Sequence, residues 1–272
     1  DGEICYGGKI DNTNGTINNN GKFYKSILTN PTFTNKPSSL NIYNGLFGIV
    51  STNISAHGYI SKITVPKNTE LIINENKALK ISFDKDAVNR DLENYGVINN
   101  KSSNRLGGIN IREGNLINQD EGIINNEGSI FLNKGGDHYN YGNFINNSNS
   151  NIMLNETNIE NSGNFINQGN LKINGEFENK YILNNKGGEI SLEGALKNTD
   201  NNSEIQNTGY IGPDKNGGSA RLLIEKGKLI NGTENPNVKG TLSSEIVQFY
   251  VGNSAMTKKK YEDYGKIYEF YS

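Results

Sequence analysis

The sequence has little of what builds an ordinary globular core. It contains one cysteine, two methionines, five prolines, two histidines and no tryptophan in 272 residues, and hydrophobic residues make up only 33%, which is low for an ordinary globular core. The single Cys5 excludes an internal disulfide and argues against a cysteine-built metal cage. Its expected place is that of a small apolar residue near the N-terminal end, with an intermolecular disulfide as the sharper alternative. Long apolar runs are missing as well: none approaches the roughly 18 residues of a membrane-spanning helix, so no transmembrane segment is expected. Charge of one sign is also lacking. Charged residues are 21% of the chain, the net charge is −2 and the pI about 5.9. With no basic face to hold phosphates, nucleic acid is not an expected partner. The chain opens at Asp1 without a hydrophobic leader, as would a mature form whose targeting segment has been removed, or a recombinant fragment.

What the chain has instead is asparagine, 49 residues of it, with 32 glycines. Such a composition belongs either to a disordered low-complexity polypeptide or to a repeat fold with a thin core and many turns. Periodicity decides. Between Gly96 and Asn231 a short unit recurs: Gly or a small residue, any residue, an aliphatic or aromatic, any residue, then Asn or a second aliphatic. Ile98/Asn100, Ile109/Ile111, Leu116/Asn118, Ile124/Asn126 and Ile130/Leu132 begin the series. Phe144/Asn146, Ile152/Leu154, Ile159/Asn161, Phe165/Asn167 and Leu171/Ile173 continue it, and Phe177/Asn179, Ile182/Asn184, Ile190/Leu192, Leu196/Asn198 and Ile205/Asn207 complete it. Residues two apart on a strand face the same way, so each unit reads as a short strand with one buried face. The i+3 and i+4 partners of a helix are missing.

The units come in threes, two with Asn at the second position and one with an aliphatic. The aliphatic strands begin at Ile109, Ile130, Ile152, Leu171 and Ile190, separated by 21, 22, 19 and 19 residues. One slot is irregular, with His138 where an aliphatic is expected, two before Asn140. The pattern predicts an all-β, three-sided parallel β-solenoid of about twenty residues per coil with terminal caps. Coils stack at about 4.8 Å, so equivalent residues form columns, and an Asn column can bond amide to amide along the stack. The expected ladder comprises Asn100, Asn118, Asn126, Asn140, Asn146, Asn161, Asn167, Asn179, Asn184, Asn198 and Asn207. Asn and Gly also tolerate the left-handed backbone of sharp corners.

The N-terminal third follows the same logic less regularly, with Ile10/Asn12, Ile17/Asn19, Leu28/Asn30, Phe33/Asn35 and Leu40/Ile42, then Ile63/Val65, Leu71/Ile73 and Leu79/Ile81. Residues 84–95, DKDAVNRDLENY, break the pattern and read as an insertion, the one place for a short helix. The expected organisation is one continuous solenoid of about eleven coils over residues 1–231, about 50 Å long, followed by a C-terminal strand and aromatic tail over residues 232–272. In that tail Tyr261, Tyr264, Tyr268, Phe270 and Tyr271 are expected to cap the last coil, whose open edge would otherwise invite strand addition, or to contact a neighbouring subunit.

The run ITVPKNTELIINENKALKI and the GxIxN units that follow it are similar to repeats of bacterial and archaeal surface proteins of the β-helix kind, including haemagglutinin-like adhesins and autotransporter passengers. Some phage and large-virus surface proteins look alike too. The resemblance covers most of residues 8–231 and implies a right-handed parallel β-helix outside the cell or on a virion; the crossover rule favours the same hand. It carries over no catalytic motif.

Catalytic and metal-binding patterns are scarce in the chain. Arg105, Arg112 and Arg221 are scattered, and Asp84/Asp86 read as a solvated pair in a polar loop rather than a catalytic couple. His57 and His138 lie far apart in sequence, with no metal-site spacing between them. Gly135-Gly136-Asp137 occurs once, which rejects the calcium-binding nonapeptide class. The stretch GPDKNGG at 212–218 signals only a loop. An ice-binding face is not expected, because the outward positions read as a mixture of Lys, Glu, Asn, Ser and Gln. No enzyme activity, cofactor or metal is expected. The expected function is that of a secreted or surface structural or adhesive protein, extracellular or on a virion, stacking end to end as a filament. Its expected partners are itself, as a homopolymer, or a host or cell-surface glycan or protein. The rival is a carbohydrate-binding or carbohydrate-cleaving β-helix.

Overall fold

Strands of about four residues joined by tight corners have no local partner, so their backbone bonds must go to the equivalent strand one coil away. The computed structural model builds the chain this way. It describes strands between Glu3 and Asp263, and side chains for most of residues 91–243 and a few between 65 and 79. Among the described residues there is no helix, and successive coils pair in parallel, as in Val97↔Ile123 and Ile123↔Asn143. The protein is a parallel β-solenoid of about 21 residues per coil.

Three faces can be followed along the stack. Strands Asp91–Asn94, Asn115–Asn118 and Asp137–Asn140 belong to the first. Val97–Asn100, Ile123–Asn126 and Asn143–Asn146 belong to the second, and Gly108–Ile111, Ser129–Asn133 and Glu189–Leu192 to the third. Among the described residues the second face is a sheet of eleven strands. The first and third faces merge into one larger sheet, because Asn151–Asn161 and Asn170–Asn179 run continuously around the corner between them. The first of these strands turns at Glu156, where φ is 52° and the register slips between Asn155 and Thr157.

Alternation puts the predicted pairs inside. Leu71, Ile98, Ile124, Phe144, Phe165, Leu183, Ile205 and Leu229 form the apolar column of the second face. Phe144 stacks on Phe165 with ring centroids 4.8 Å apart, and Phe165 meets Phe177 of the first face edge-on at 5.2 Å. The aliphatic pairs Ile109/Ile111, Ile130/Leu132, Ile152/Leu154, Leu171/Ile173 and Ile190/Leu192 line the third face. Corners close by backbone contact. A Cβ added to Gly128 would lie 2.0 Å from the Ser102 carbonyl oxygen beneath it, and the N–H of Ser129 donates to that same oxygen at 2.9 Å. A side chain there would force the coils apart.

Two expectations need correction. Residues 91–94, assigned to the 84–95 insertion, are a strand, with Leu92 and Asn94 fully buried in register with Leu116 and Asn118; residues 82–90 lie outside the described residues. Asn184 is not a ladder residue. Ile182–Asn185 pairs as Phe165↔Leu183 and Asn167↔Asn185, so Leu183 and Asn185 point inward and Asn184 outward. A slip of one residue moves a strand's whole buried set to the opposite face.

Candidate functional site

Two asparagine columns run through the core. On the first face Asn94, Asn118, Asn140, Asn161, Asn179 and Asn198 are linked Nδ2 to Oδ1 at 2.7–2.8 Å. On the second face Asn100, Asn126, Asn146, Asn167, Asn185, Asn207 and Asn231 are linked in the same way at 2.7–2.8 Å. Each amide also serves the corner. Asn126 Oδ1 accepts the N–H of Gly128 at 3.2 Å, and its Nδ2 donates to the Asn151 carbonyl of the next coil at 3.2 Å. The amide is thus bonded on both its oxygen and its nitrogen, as burial demands. Ten of the eleven residues expected in the ladder are in it. Asn94, Asn185 and Asn231 join them, and Asn184 leaves. A spacing of six would have found Asn185, because Asn94/Asn100, Asn140/Asn146, Asn161/Asn167 and Asn179/Asn185 are all six apart across the same corner. Three of the four column ends meet aliphatics, and at the fourth Asn231 pairs with Asp263. Val65 pairs with Asn94, Ile73 with Asn100 and Ile224 with Asn198.

His138 occupies the aliphatic slot of its coil and is 1% exposed. Its Nδ1 accepts the N–H of Leu116 at 3.0 Å, while strand pairing between these coils begins one residue later at Ile117↔Tyr139. The ring nitrogen takes the place of a backbone acceptor. Nε2 is buried without a hydrogen-bond partner, and burial holds the imidazole pKa far down, at about 3.

The outer surfaces of the faces differ. The first carries paired charge: Lys180 bridges Glu160 at 2.7 Å and Glu178 at 3.6 Å, and Lys197 bridges Glu176 at 2.5 Å. Glu93 accepts from Tyr95 and Gln119, both at 2.8 Å. The hydrogen bond to Glu160 holds the Lys180 ammonium above its ordinary pKa, and that to Glu93 holds the Tyr95 phenol above its own. On the third face Lys172 joins Asp214 and Glu193, and its hydrogen bond keeps the Asp214 carboxyl down at about 2. The second face departs from the expected outward mixture. Over five coils it presents Val97/Asn99, Ile123/Asn125, Asn143/Ile145, Asn164/Ile166 and Ile182/Asn184, and no charge.

A cleft of about 570 Å³ lies along the corner between the second and third faces. Its floor is the tight corners at Gly169, Gly188 and Gly209, and Ser148 and Asn149 bound it at one end and Lys239 at the other. No sequence motif marks it, because its residues lie one coil apart.

No protein-family model matches the chain, and the searches of curated proteins and of solved structures also found no match. The resemblance to surface adhesins therefore stands on the repeat alone.

Among the described residues no group of three or more His, Cys, Asp or Glu is placed to hold a metal ion, and no helix is long and apolar enough to cross a membrane. Of the candidate subunit contacts, Tyr261 begins the strand Tyr261–Asp263, which pairs with the second face through Leu229↔Tyr261. Tyr264, Tyr268, Phe270 and Tyr271 lie outside the described residues, as do Asp84, Asp86, His57 and Arg105.

Proposed function

We propose that the chain is a rigid structural or adhesive module of an extracellular, cell or virion surface, and that its coils stack end to end with those of other copies. The observation that carries this reading is the pair of asparagine columns. They bind each coil to the next through core amides as well as backbone ladders, and they run the same way from Asn94 to Asn198 on the first face and from Asn100 to Asn231 on the second. A stack of near-identical cross-sections resists bending and shear, and each end presents strand edges to which a further coil can add. The five uncharged coils of the second face add a surface that can approach a partner without desolvating ions.

Negative-stain electron microscopy of the purified chain over a range of concentrations tests this. Rods that lengthen into fibres of one subunit's width are expected. Round particles, or trimers joined side by side, would reject end-to-end stacking. The corner cleft supports a second reading, in which a long edge of the solenoid recognises a carbohydrate.

A further inference from the structure

Recognition needs polar groups that the fold has not already used. Over most of this surface they are used. On the first face Glu93, Glu160, Glu176 and Glu178 are bonded to neighbouring side chains. The corner cleft differs. Among the described residues the side chains of Gln168, Tyr210 and Lys239 make no hydrogen bond or ion pair, although all three line it. The Thr208 hydroxyl on the intervening rung is already used, donating to the Asn185 carbonyl at 3.3 Å and accepting from the Gly187 N–H at 3.2 Å.

The chemistry of the lining narrows the ligand. It holds amides, hydroxyls, a phenol, one carboxylate (Glu189) and one ammonium (Lys239), and no aliphatic side chain. A peptide that binds through apolar side chains finds no pocket there, and the two opposite charges give no net attraction for a polyanion. Neutral polyhydroxylated chains suit such a surface: amides and hydroxyls match sugar hydroxyls, and a half-buried phenol offers a ring face. The geometry is also regular. Ser148, Gln168, Gly188, Thr208 and Lys239 sit on five successive coils, so the cleft spans four coil steps of about 4.8 Å, roughly 19 Å in all. That step is close to the advance per sugar of an extended pyranose chain. The corner glycines keep the floor low. A Cβ on Gly209 would meet the Gly188 carbonyl oxygen at 2.0 Å, so the backbones are already in contact there and no side chain rises between rungs.

We propose that this corner cleft binds an extended neutral oligosaccharide of about four sugars along the solenoid axis, one sugar to a coil step of about 4.8 Å. Gln168 bonds its hydroxyls, Thr208 lines the central rung, and Tyr210, whose phenol lies over Gly212 of its own strand, turns the outer face of its ring to a sugar. The assignment rests on the adhesive reading above only for its biological setting.

The test is titration of the purified full chain with cellotetraose, chitotetraose and mannotetraose, followed by calorimetry and by protein-observed NMR. Saturable binding of at least one tetrasaccharide is expected. Gln168→Ala and Tyr210→Ala are each expected to weaken it about tenfold, the equivalent of one lost contact of about 1.4 kcal/mol, with the melting temperature unchanged. Thr208→Arg, which puts bulk and charge on the central rung, should abolish it. Failure of all three tetrasaccharides to bind overturns the assignment, as does binding that survives the three substitutions intact. If the sugars fail while electron microscopy shows fibres, the cleft assignment falls and the structural reading stands. If they bind while no fibres form, the reverse holds.

Discussion

Acidification from pH 7 to pH 5 should remove about 2 kcal/mol of stability through His138 alone. The imidazole is fully inside, its Nδ1 holds the Leu116 N–H at 3.0 Å, and Nε2 has no hydrogen-bond partner. Protonation would place a charge in the apolar column and break the bond to Leu116, so burial lowers the pKa from the ordinary 6.5 to about 3. The sign follows. Below pH 6.5 the unfolded chain takes up a proton that the folded chain refuses, so stability is lost as the pH falls from 6.5 towards 3. At pH 5 the solution is about 1.5 pH units below the unfolded value, and at 1.36 kcal/mol per unit this gives about 2 kcal/mol. For a chain of this length the melting temperature should drop by about 4–8 °C. His138→Leu is the control. Leucine suits a slot that Ile159 fills in the next coil. It strands the Leu116 N–H at a cost of about 1–3 kcal/mol that does not vary with pH. Calorimetric melts of both proteins at pH 7 and pH 5 should therefore show the variant's deficit shrinking by about 2 kcal/mol at the lower pH. Two proteins that lose stability in parallel would refute the reasoning.

Other consequences can be checked with single substitutions. Asn146→Ala removes an acceptor of the Asn126 amide and the donor to Asn167 Oδ1, while the Ser150 hydroxyl keeps the Asn147 carbonyl; a loss of about 2–4 kcal/mol is expected in urea unfolding, and an unchanged midpoint would remove the case for the ladder. Gly187→Ala and Gly188→Ala separate conformation from space. Gly187 has φ +74° with nothing within 4 Å of its missing Cβ, so alanine should destabilise by only about 1–2 kcal/mol. A Cβ on Gly188 would meet Asn167 Nδ2 at 2.5 Å and the Gly169 carbonyl at 2.7 Å, so the second variant should melt well below the first. Lys172→Met removes the largest of the hydrogen bonds that keep the Asp214 carboxyl at about 2, and an NMR titration should find that carboxyl raised towards its ordinary 3.8, with the Glu193 hydrogen bond still opposing the rise.

The sequence revealed the coil because stacking makes every coil obey the same rule, so an error at one unit is outvoted by its neighbours. Phe165/Asn167 and Leu196/Asn198 were readable by alternation alone. Asn184 is ambiguous in sequence because Ile182, Leu183, Asn184 and Asn185 offer two apolar–Asn pairs in opposite phase. Pairing to Phe165 and Asn167 in the coil beneath chooses between them. Residues 91–94 were hidden by Asp91 and Glu93, whose outward charges mask the inward Leu92 and Asn94. The corner cleft was least legible. Gln168, Thr208 and Lys239 are brought together by coil stacking, which leaves no motif in any one segment of the chain.

The asparagine columns also have a direction. Oδ1 of Asn94, Asn100, Asn126 and Asn207 accepts a backbone N–H two residues ahead, so in each of these amides the oxygen and nitrogen cannot be exchanged. Every donor in the two rows then points to the coil that follows it in sequence, through five bonds on the first face and six on the second. Thirteen buried amide dipoles, each comparable to the roughly 3.5 D of a peptide unit, are joined donor to acceptor in the same sense along the two columns. The solenoid is in this respect an electret. The pole towards Asn231 is positive and the pole towards Asn94 negative, so dissolved rods should orient in an electric field even at the pH where their net charge is zero.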